Sequence, residues 1–449
     1  MISSPPHRPL RVALVSEHAS PLAVVGGVDA GGQNIYVAHL ARCMAEAGHH
    51  VDVFTRRDAA GLPARVDMRP GARVFHIPAG PAAPIRKEDL LPHMDAFARA
   101  SERLVRNSVP YDVVHANFFM SGLVARRLQL ALGLPFVMTF HALGLVRREH
   151  QREADGFPPQ RVEIERALMV QADALIAECP QDRKDMVRLY GADPDKMTLL
   201  PCGFDPQEFS PLSRERARAR LGLPRDEFLV LQLGRLVPRK GIDNVIEALA
   251  LLPPQLRAHV VVVGGDSPEP DEACTPEIGR LRRLAASLGV AERVRFTGHR
   301  QRADLRAWYA AADVFVTTPW YEPFGITPLE AMACGRPVVG SAVGGIQHTV
   351  VDGVTGFLVP PKDPGALAQR LAQLAANPAL GAAMGRAGIR RVRADYTWDS
   401  VAARLLDLYA AIAMRRPQQA TPAGVRLVPA ALQRVGARAS ASQANRALS

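Results

Sequence analysis

Lysine is nearly missing from this 449-residue chain, where five lysines stand against fifty arginines. Apolar runs are short, and none approaches the roughly 18 residues of a membrane-crossing helix, which excludes a spanning segment of that kind. The opening MISSPPHRPLRV has no apolar h-region and no cleavage site, so no signal peptide is expected. The cysteines Cys43, Cys179, Cys202, Cys274 and Cys334 include no C-x-x-C pair. Their odd number and wide spacing argue against a disulfide framework or a thiolate metal site, and for reduced core thiols in a cytoplasmic protein. Acidic residues are absent from 415 onward, where Arg415, Arg416, Arg426, Arg434, Arg438 and Arg446 supply six of the +11 net charge. The rest of the chain interleaves both signs, so no nucleic-acid partner is expected. The 415–449 segment reads as a disordered basic tail, with peripheral membrane contact as its furthest role. Aromatic residues are few at 6%, but 48% hydrophobic and 22% charged residues describe an ordinary globular chain and exclude disorder throughout.

What is present is alternation. Residues 10–17, 50–55, 73–79, 112–117, 135–141 and 174–178 read as buried parallel strands, with helices over 33–47, 88–106, 121–131 and 160–172. Gly48 is placed to end the first helix as its C′ residue. The proline- and charge-rich stretch 202–227 reads as a linker. Alternation then restarts, with strands over 228–235, 259–265, 293–298, 313–318 and 337–341. The matching helices lie near 241–252, 276–289, 302–311 and 328–335, followed by 364–378, 379–393 and 398–414. The expectation is two doubly wound α/β domains in tandem, over 10–205 and 206–395, after a flexible 1–9 and before a closing helix within 396–414. Ligands of such sheets bind beyond the carboxyl ends of the strands.

The loops at those ends carry the chemistry. After the first strand, VVGGVDAGGQNIYVAHL crowds Gly26, Gly27, Gly31 and Gly32 ahead of a helix starting near Gln33. Bare amides and a helix N-terminus there suit an anion such as phosphate, with a merely flexible loop as the alternative. The stretch is not G-x-G-x-x-G. In GRLVPRKGID, Arg235 and Lys240 flank a turn; one planar and one compact cation fit a diphosphate, and a surface pair is the equal alternative. In TTPWYEPFGITPLEAMACGRPVVG, Glu322 lies in a loop and Glu330 in a helical first turn. Thr327-Pro328-Leu329-Glu330 fits a capping box, a role compatible with ligand binding. Two carboxylates flanking the Pro323-Phe324-Gly325 backbone, with the amides of Phe324 and Gly325 as donors, suit a sugar and a ribose side by side.

Together these segments resemble the retaining family 4 glycosyltransferases of the GT-B fold. Glu322–Glu330 is similar to their E-x7-E motif, and GGQNIYV, TFHALG, GRLVPRKG and EAMACGRPVVGSAVGG agree in order, from about residue 10 to 414. Within that family the likeness runs toward sucrose-phosphate synthases and the inositol-phosphate transferases of the mycothiol pathway. The resemblance implies two Rossmann-like parallel-sheet domains facing across a cleft, an N-terminal one for the acceptor and a C-terminal one for a nucleotide-sugar, with the last helix crossing back onto the first. It implies that Arg235 and Lys240 hold the donor diphosphate, opposite the amides of Gly31 and Gly32. Glu330 would take the ribose hydroxyls, and Glu322 with the Phe324-Gly325-Ile326 backbone the sugar hydroxyls. His141 would face the reacting sugar, making His141, Arg235, Lys240 and Glu322 the catalytic set. The implied reaction is retaining hexosyl transfer with no metal and no other cofactor, the nucleotide-sugar being a co-substrate. UDP-glucose is the favoured donor.

The acceptor it implies is a sugar or sugar-phosphate, with Gln33, Asn34, Lys87 and Arg161 as acceptor-binding candidates; Lys87 and Arg161 match positions that in relatives grip an acceptor phosphate, with ordinary surface cations as the alternative. Two hydroxyls expected near an acceptor phosphate are replaced by Phe118 and Ala142. Mannosyl or N-acetylglucosaminyl transfer to a glycan or lipid-linked acceptor stays open, as does a homodimer. The other classes are a 2-epimerase, which needs a different acid–base set, and a non-catalytic nucleotide-sugar sensor, which would have lost one of these groups.

Overall fold

The structure, a computed structural model, describes residues 8–23, 31–152 and 155–415. The expectations for 1–7, for Gly26 and Gly27, and for 416–449 lie outside the described residues.

The first sheet holds β1 (Arg11–Val15), β2 (His50–Arg56), β3 (Arg65–Arg69), β4 (Ala72–Ile77), β5 (Val113–Asn117), β6 (Phe136–Thr139), β7 (Ala174–Ala177) and β8 (Met197–Leu199). Their order is β3-β4-β2-β1-β5-β6-β7-β8, and every pairing is parallel except β3 with β4. The second sheet holds β9 (Phe228–Leu233), β10 (Ala258–Val263), β11 (Val294–Phe296), β12 (Val314–Thr317), β13 (Val338–Ser341) and β14 (Gly356–Val359). It is wholly parallel, in the order β11-β10-β9-β12-β13-β14. Strand order reverses between β1 and β5 in one sheet and between β9 and β12 in the other, so each domain opens a crevice beyond those strand ends. All the candidate loops emerge there. Gly48 follows the first helix with φ +88°, as the sequence required.

Several local expectations are corrected. The stretch 202–227 is no simple linker, because Arg214–Leu221 is helical, with Ser213 Oγ accepting from Arg216 N. Its charge density misled: Arg218 is buried and donates to Asp313 (2.6 Å) and to the carbonyls of Ala311, Pro224, Arg225 and Glu227. Helix 88–106 shortens to Met94–Arg106, preceded by 3₁₀ turns at Lys87–Asp89 and Leu91–His93, because Pro92 cannot continue a helix from upstream. Helices Gly144–Gln151, Pro180–Tyr190 and Ile346–Thr349 are additional. Edge strands β3 and β8 lack the apolar run that marks a buried strand, and β14 opens on a glycine. Four of the five cysteines are buried, whereas Cys274 is exposed; all five are free thiols.

Helix Trp398–Met414 returns to the first sheet and packs on helix Gly32–Glu46. Trp398 stacks on His39 at 5.4 Å and meets Tyr36 edge-on at 5.7 Å, and the Tyr409 hydroxyl hydrogen-bonds His115 on β5. The two chain crossings between sheets run side by side, Phe204 N donating to Tyr396 O and Trp398 N to Phe204 O. No helix among the described residues is long and apolar enough to cross a membrane.

Candidate active site

The second domain's wall is built from the loops after β9 and β12, which close tightly on one another. Gly241 ends the 3₁₀ turn Pro238–Lys240 with φ +64°, and any side chain there would strike the Thr318 carbonyl. Thr318 Oγ1 donates to Gly241 O (2.8 Å) and Trp320 N to Arg239 O (2.9 Å). This seam brings Lys240 Nζ onto the Glu322 carboxylate, with Arg239 Nη1 3.5 Å from the same oxygen. Burial pushes the Glu322 carboxyl up, but the charge of Lys240, then of Arg239, more than offsets it and holds the pKa at about 2. Lys240 is pushed down, first by burial and also by Arg239 and Arg235, while Glu322 opposes. Lys240 and Arg239 therefore converge on one carboxylate, which also feels the charge of Arg235.

The Glu322–Ile326 loop is floored by the glycines of SAVGG. Gly344 has φ +47° and a side chain there would run into the Glu322 carbonyl, while Gly345 N donates to Pro323 O (3.0 Å). Helix Thr327–Ala333 follows, with Ile326 as N-cap and no side-chain cap. The expected capping box is thus not formed. The Glu330 carboxylate is drawn away by Arg302 Nη1 (3.0 Å) and the Tyr309 hydroxyl (2.8 Å), at 2% exposure.

Across the cleft, a methyl group placed on Gly32 would touch Ile326 Cδ1 at 3.6 Å, so the start of the first helix and the Ile326 side chain face each other. Gly31 N donates to Asn34 Oδ1 (2.9 Å), and Asn34 Nδ2 to Ser20 O (2.9 Å). Asn34 is buried and holds its own loop. Gln33 Nε2 reaches Ser16 Oγ and Asn117 O at the crevice floor. His141 stands two residues past β6, in the left-handed region at φ +57°, and Phe118, after β5, has φ +82°. Non-glycine residues in such conformations are strained, and strain of this kind gathers at working sites. His141 Nδ1 lies 3.0 Å from Glu178 Oε1 and Nε2 lies 3.1 Å from Asn117 Oδ1. A cavity of about 340 Å³ continues between the domains, where His150 stacks on Tyr321 at 5.2 Å beside Leu143, Glu322 and Val343.

Arg161 departs most from expectation. It is 1% exposed, ion-paired to Glu165 (2.7 Å), donates to Ala142 O, and lies within 5 Å of the rings of Phe118, Phe119 and Phe157. Its Nη1 is buried with no hydrogen-bond partner. The open cation expected at this position is thus replaced by an internally neutralised one in an aromatic cage. Lys87 is half-buried on the turn that packs against Gly156, beside Phe157, so both acceptor candidates share one corner. Sequence reading missed Arg239, Asn117, Glu178, Arg302 and Tyr309. Arg239 adjoins Lys240 in the same motif, and Glu178 ends a buried strand with a charge, which was the available signal.

Comparison with known proteins agrees with this architecture. The family model described as Glycosyltransferase Family 4 matches residues 30–208, and that described as Glycosyl transferases group 1 matches 213–391. The chain is 39% identical over 416 residues to a D-inositol 3-phosphate glycosyltransferase of Xylanimonas cellulosilytica, covering 91% of this chain and 98% of that protein. It is 37% identical over 426 residues to the protein of that name from Streptomyces coelicolor, covering 90% and 92%. The solved sucrose-phosphate synthase of Thermosynechococcus elongatus superposes with a TM-score of 0.83 at 36% identity, over 90% of this chain and 99% of that one. The chain belongs to the family 4 glycosyltransferases and is a glycosyl-transferring enzyme of GT-B architecture.

Proposed function

We propose that the enzyme transfers a hexosyl group from a nucleoside-diphosphate sugar to a sugar or sugar-phosphate hydroxyl, with retention of anomeric configuration. The observation that carries this reading is the convergence of Lys240 and Arg239 on Glu322 at the switch point of the second sheet. Lys240 and Arg239 set two cations against one carboxylate, an arrangement that suits a further anion, and a diphosphate supplies it. In transfer, the bond from the sugar to the diphosphate breaks and these cations hold the departing charge. The leaving phosphate takes the acceptor hydroxyl proton. Glu322 and the Phe324-Gly325-Ile326 amides address the sugar hydroxyls, Glu330 the ribose, and His141 the opposite face of the sugar. On this scheme the protein's own cations do the work of a metal. UDP-glucose is the favoured donor on family likeness.

The acceptor has two readings. The names of the relatives, inositol 3-phosphate glycosyltransferase and sucrose-phosphate synthase, carry a phosphate, and Arg161 has an unpartnered Nη1 to offer one. The Arg161–Glu165 pair and the apolar Phe118 and Ala142 favour an uncharged sugar instead.

A thermal-shift panel of UDP, GDP, ADP and their sugar conjugates tests the donor, since a ligand of the folded state alone raises the melting temperature. A selective rise with uridine conjugates is expected. Product formed from the responding donor is then read by the anomeric proton coupling. No shift with any nucleotide at millimolar concentration, or an inverted product, overturns the proposal.

A further inference from the structure

Glu178 belongs to no part of the scheme above, yet it is a carboxylate 3% exposed, one residue beyond β7. The register explains where it lies. Val137 pairs with Ala174, Met138 with Leu175 and Thr139 with Ile176, and continuing that count sets Glu178 beside His141. Its Oε1 is 3.0 Å from His141 Nδ1 and 3.1 Å from Cys202 Sγ, whose thiol donates to it. Burial and the neighbouring Glu178 push that thiol's pKa well up, so it stays a neutral donor. A buried carboxylate needs a countercharge, and the thiol does not supply one.

The other ring nitrogen settles what does. His141 Nε2 is 3.1 Å from Asn117 Oδ1. The Asn117 amide cannot be turned over, because its Nδ2 donates to Val15 O (3.3 Å) and His115 O (3.4 Å), and the reverse orientation would set an oxygen against both carbonyls. Both imidazole nitrogens therefore face acceptors. A neutral ring carries one N–H and would leave one of these contacts without a proton; an imidazolium satisfies both.

We propose that Glu178 is a positioning residue that holds His141 as a doubly protonated, orientation-locked imidazolium at the floor of the cleft. The inference deepens the site reading proposed above and rests on it for the meaning of His141. With both N–H groups committed, His141 exchanges no proton in the reaction; it contributes a fixed charge and a fixed ring, 11% exposed at the cleft. The titratable groups facing the pair are Tyr36 from helix Gly32–Glu46, His115 on β5, Cys179 and Asp182 at the start of helix Pro180–Tyr190, Cys202, and Glu322 from the second domain. None of them but Glu178 lies in hydrogen-bond contact with Nδ1.

The test is ¹⁵N resonance of histidine-labelled full-length enzyme at pH 7.5, with His141 assigned by its loss in His141→Gln. Wild type is expected to show two protonated ring nitrogens, and Glu178→Gln a neutral ring with one bare nitrogen. In transfer assays, Glu178→Gln should lower kcat with little change in KM, with Glu178→Asp restoring part of the wild-type kcat. Cys202→Ala, which leaves the pair intact, should keep the wild-type ring signature. A neutral His141 in wild type, or an unchanged imidazolium in a folded Glu178→Gln, overturns the proposal. The resonance readout needs no turnover, so a failed donor panel and a failed Glu178 assignment are told apart.

Discussion

Replacing Gly344 by alanine isolates how much of the site depends on the floor beneath Glu322. The substitution has two components. A non-glycine residue at φ +47° carries the left-handed penalty, about 1 kcal/mol. The added Cβ would also stand 2.9 Å from the Glu322 carbonyl carbon and closer still to its oxygen, with Pro323 O at 3.3 Å. Backbone contacts of that kind are relieved only by moving the Glu322–Pro323 segment, by roughly 1 Å, and a misplacement of that size in a positioned catalytic group costs on the order of 100-fold in rate. Gly353 provides the control: it has φ +73° and open space where a Cβ would go. Gly353→Ala should therefore lose about 1 kcal/mol of stability and no activity. Gly344→Ala should lose on the order of 100-fold in kcat/KM, while guanidinium denaturation shows a loss of about 2–3 kcal/mol. The measurement pairs transfer kinetics with unfolding for both variants. Equal kinetics in the two would show that the glycine is needed for its dihedral alone, and the packing argument for the loop would fail.

Lys240→Ala and Glu322→Ala should each remove most transfer with the fold retained, judged by circular dichroism beside turnover; full turnover by either refutes the assignment. Because Glu322 is held at about pKa 2 against an ordinary 4.5, it adds stability present above pH 4.5 and lost as pH falls through 2. That is on the order of 3 kcal/mol, so the melting-temperature gap between wild type and Glu322→Gln should shrink steadily from pH 5 to pH 2.5, and a constant gap would contradict it. Asp182 has the opposite sign: burial, then Glu178, raise its carboxyl to about 8 from 3.8, so it costs stability increasingly as pH rises between those values. Asp182→Asn, which keeps an acceptor for Glu178 N, should gain more melting temperature over wild type at pH 8.5 than at pH 5.

The legible part of the fold is the part that carries periodicity. Interior strands such as β7, β9 and β10 are predominantly apolar, and their carboxyl ends locate the crevice without further information. Elements stabilised by long-range partners leave no such trace. Helix Arg214–Leu221 holds four arginines in eight residues and reads as solvated, yet Arg218 runs inward to five carbonyl and carboxylate partners that come from as far away as Asp313. Propensity sees the charge; only the packing supplies its acceptors.

The same distinction runs through the site. Arg235, Lys240 and Glu322 stand out because their motifs put charge in strand-end segments, and Glu330 because it opens the helix that follows one, where a globular chain has little structural need of it. The residues that determine what those charges can do were hidden because each is second to a partner. Glu330 lies within reach of Arg302 and Tyr309, which share a face of helix Arg302–Ala311 at a spacing indistinguishable from ordinary packing. Arg161 matched its position by type, but its chemistry is set by Glu165 four residues on and by three phenylalanines contributed from two separate segments. A cation so neutralised differs in kind from an open one, although the letter in the sequence is the same. Acceptor charge can therefore be decided by breaking the pair: Glu165→Gln would leave the guanidinium uncompensated in its cage. If the natural acceptor is uncharged, that variant should gain affinity for phosphorylated sugars relative to neutral ones. If the acceptor already carries a phosphate bound at Nη1, its KM should change little while the protein loses stability through the broken ion pair. A selectivity unchanged toward both acceptor classes, in a folded variant, would remove Arg161 from the acceptor site altogether.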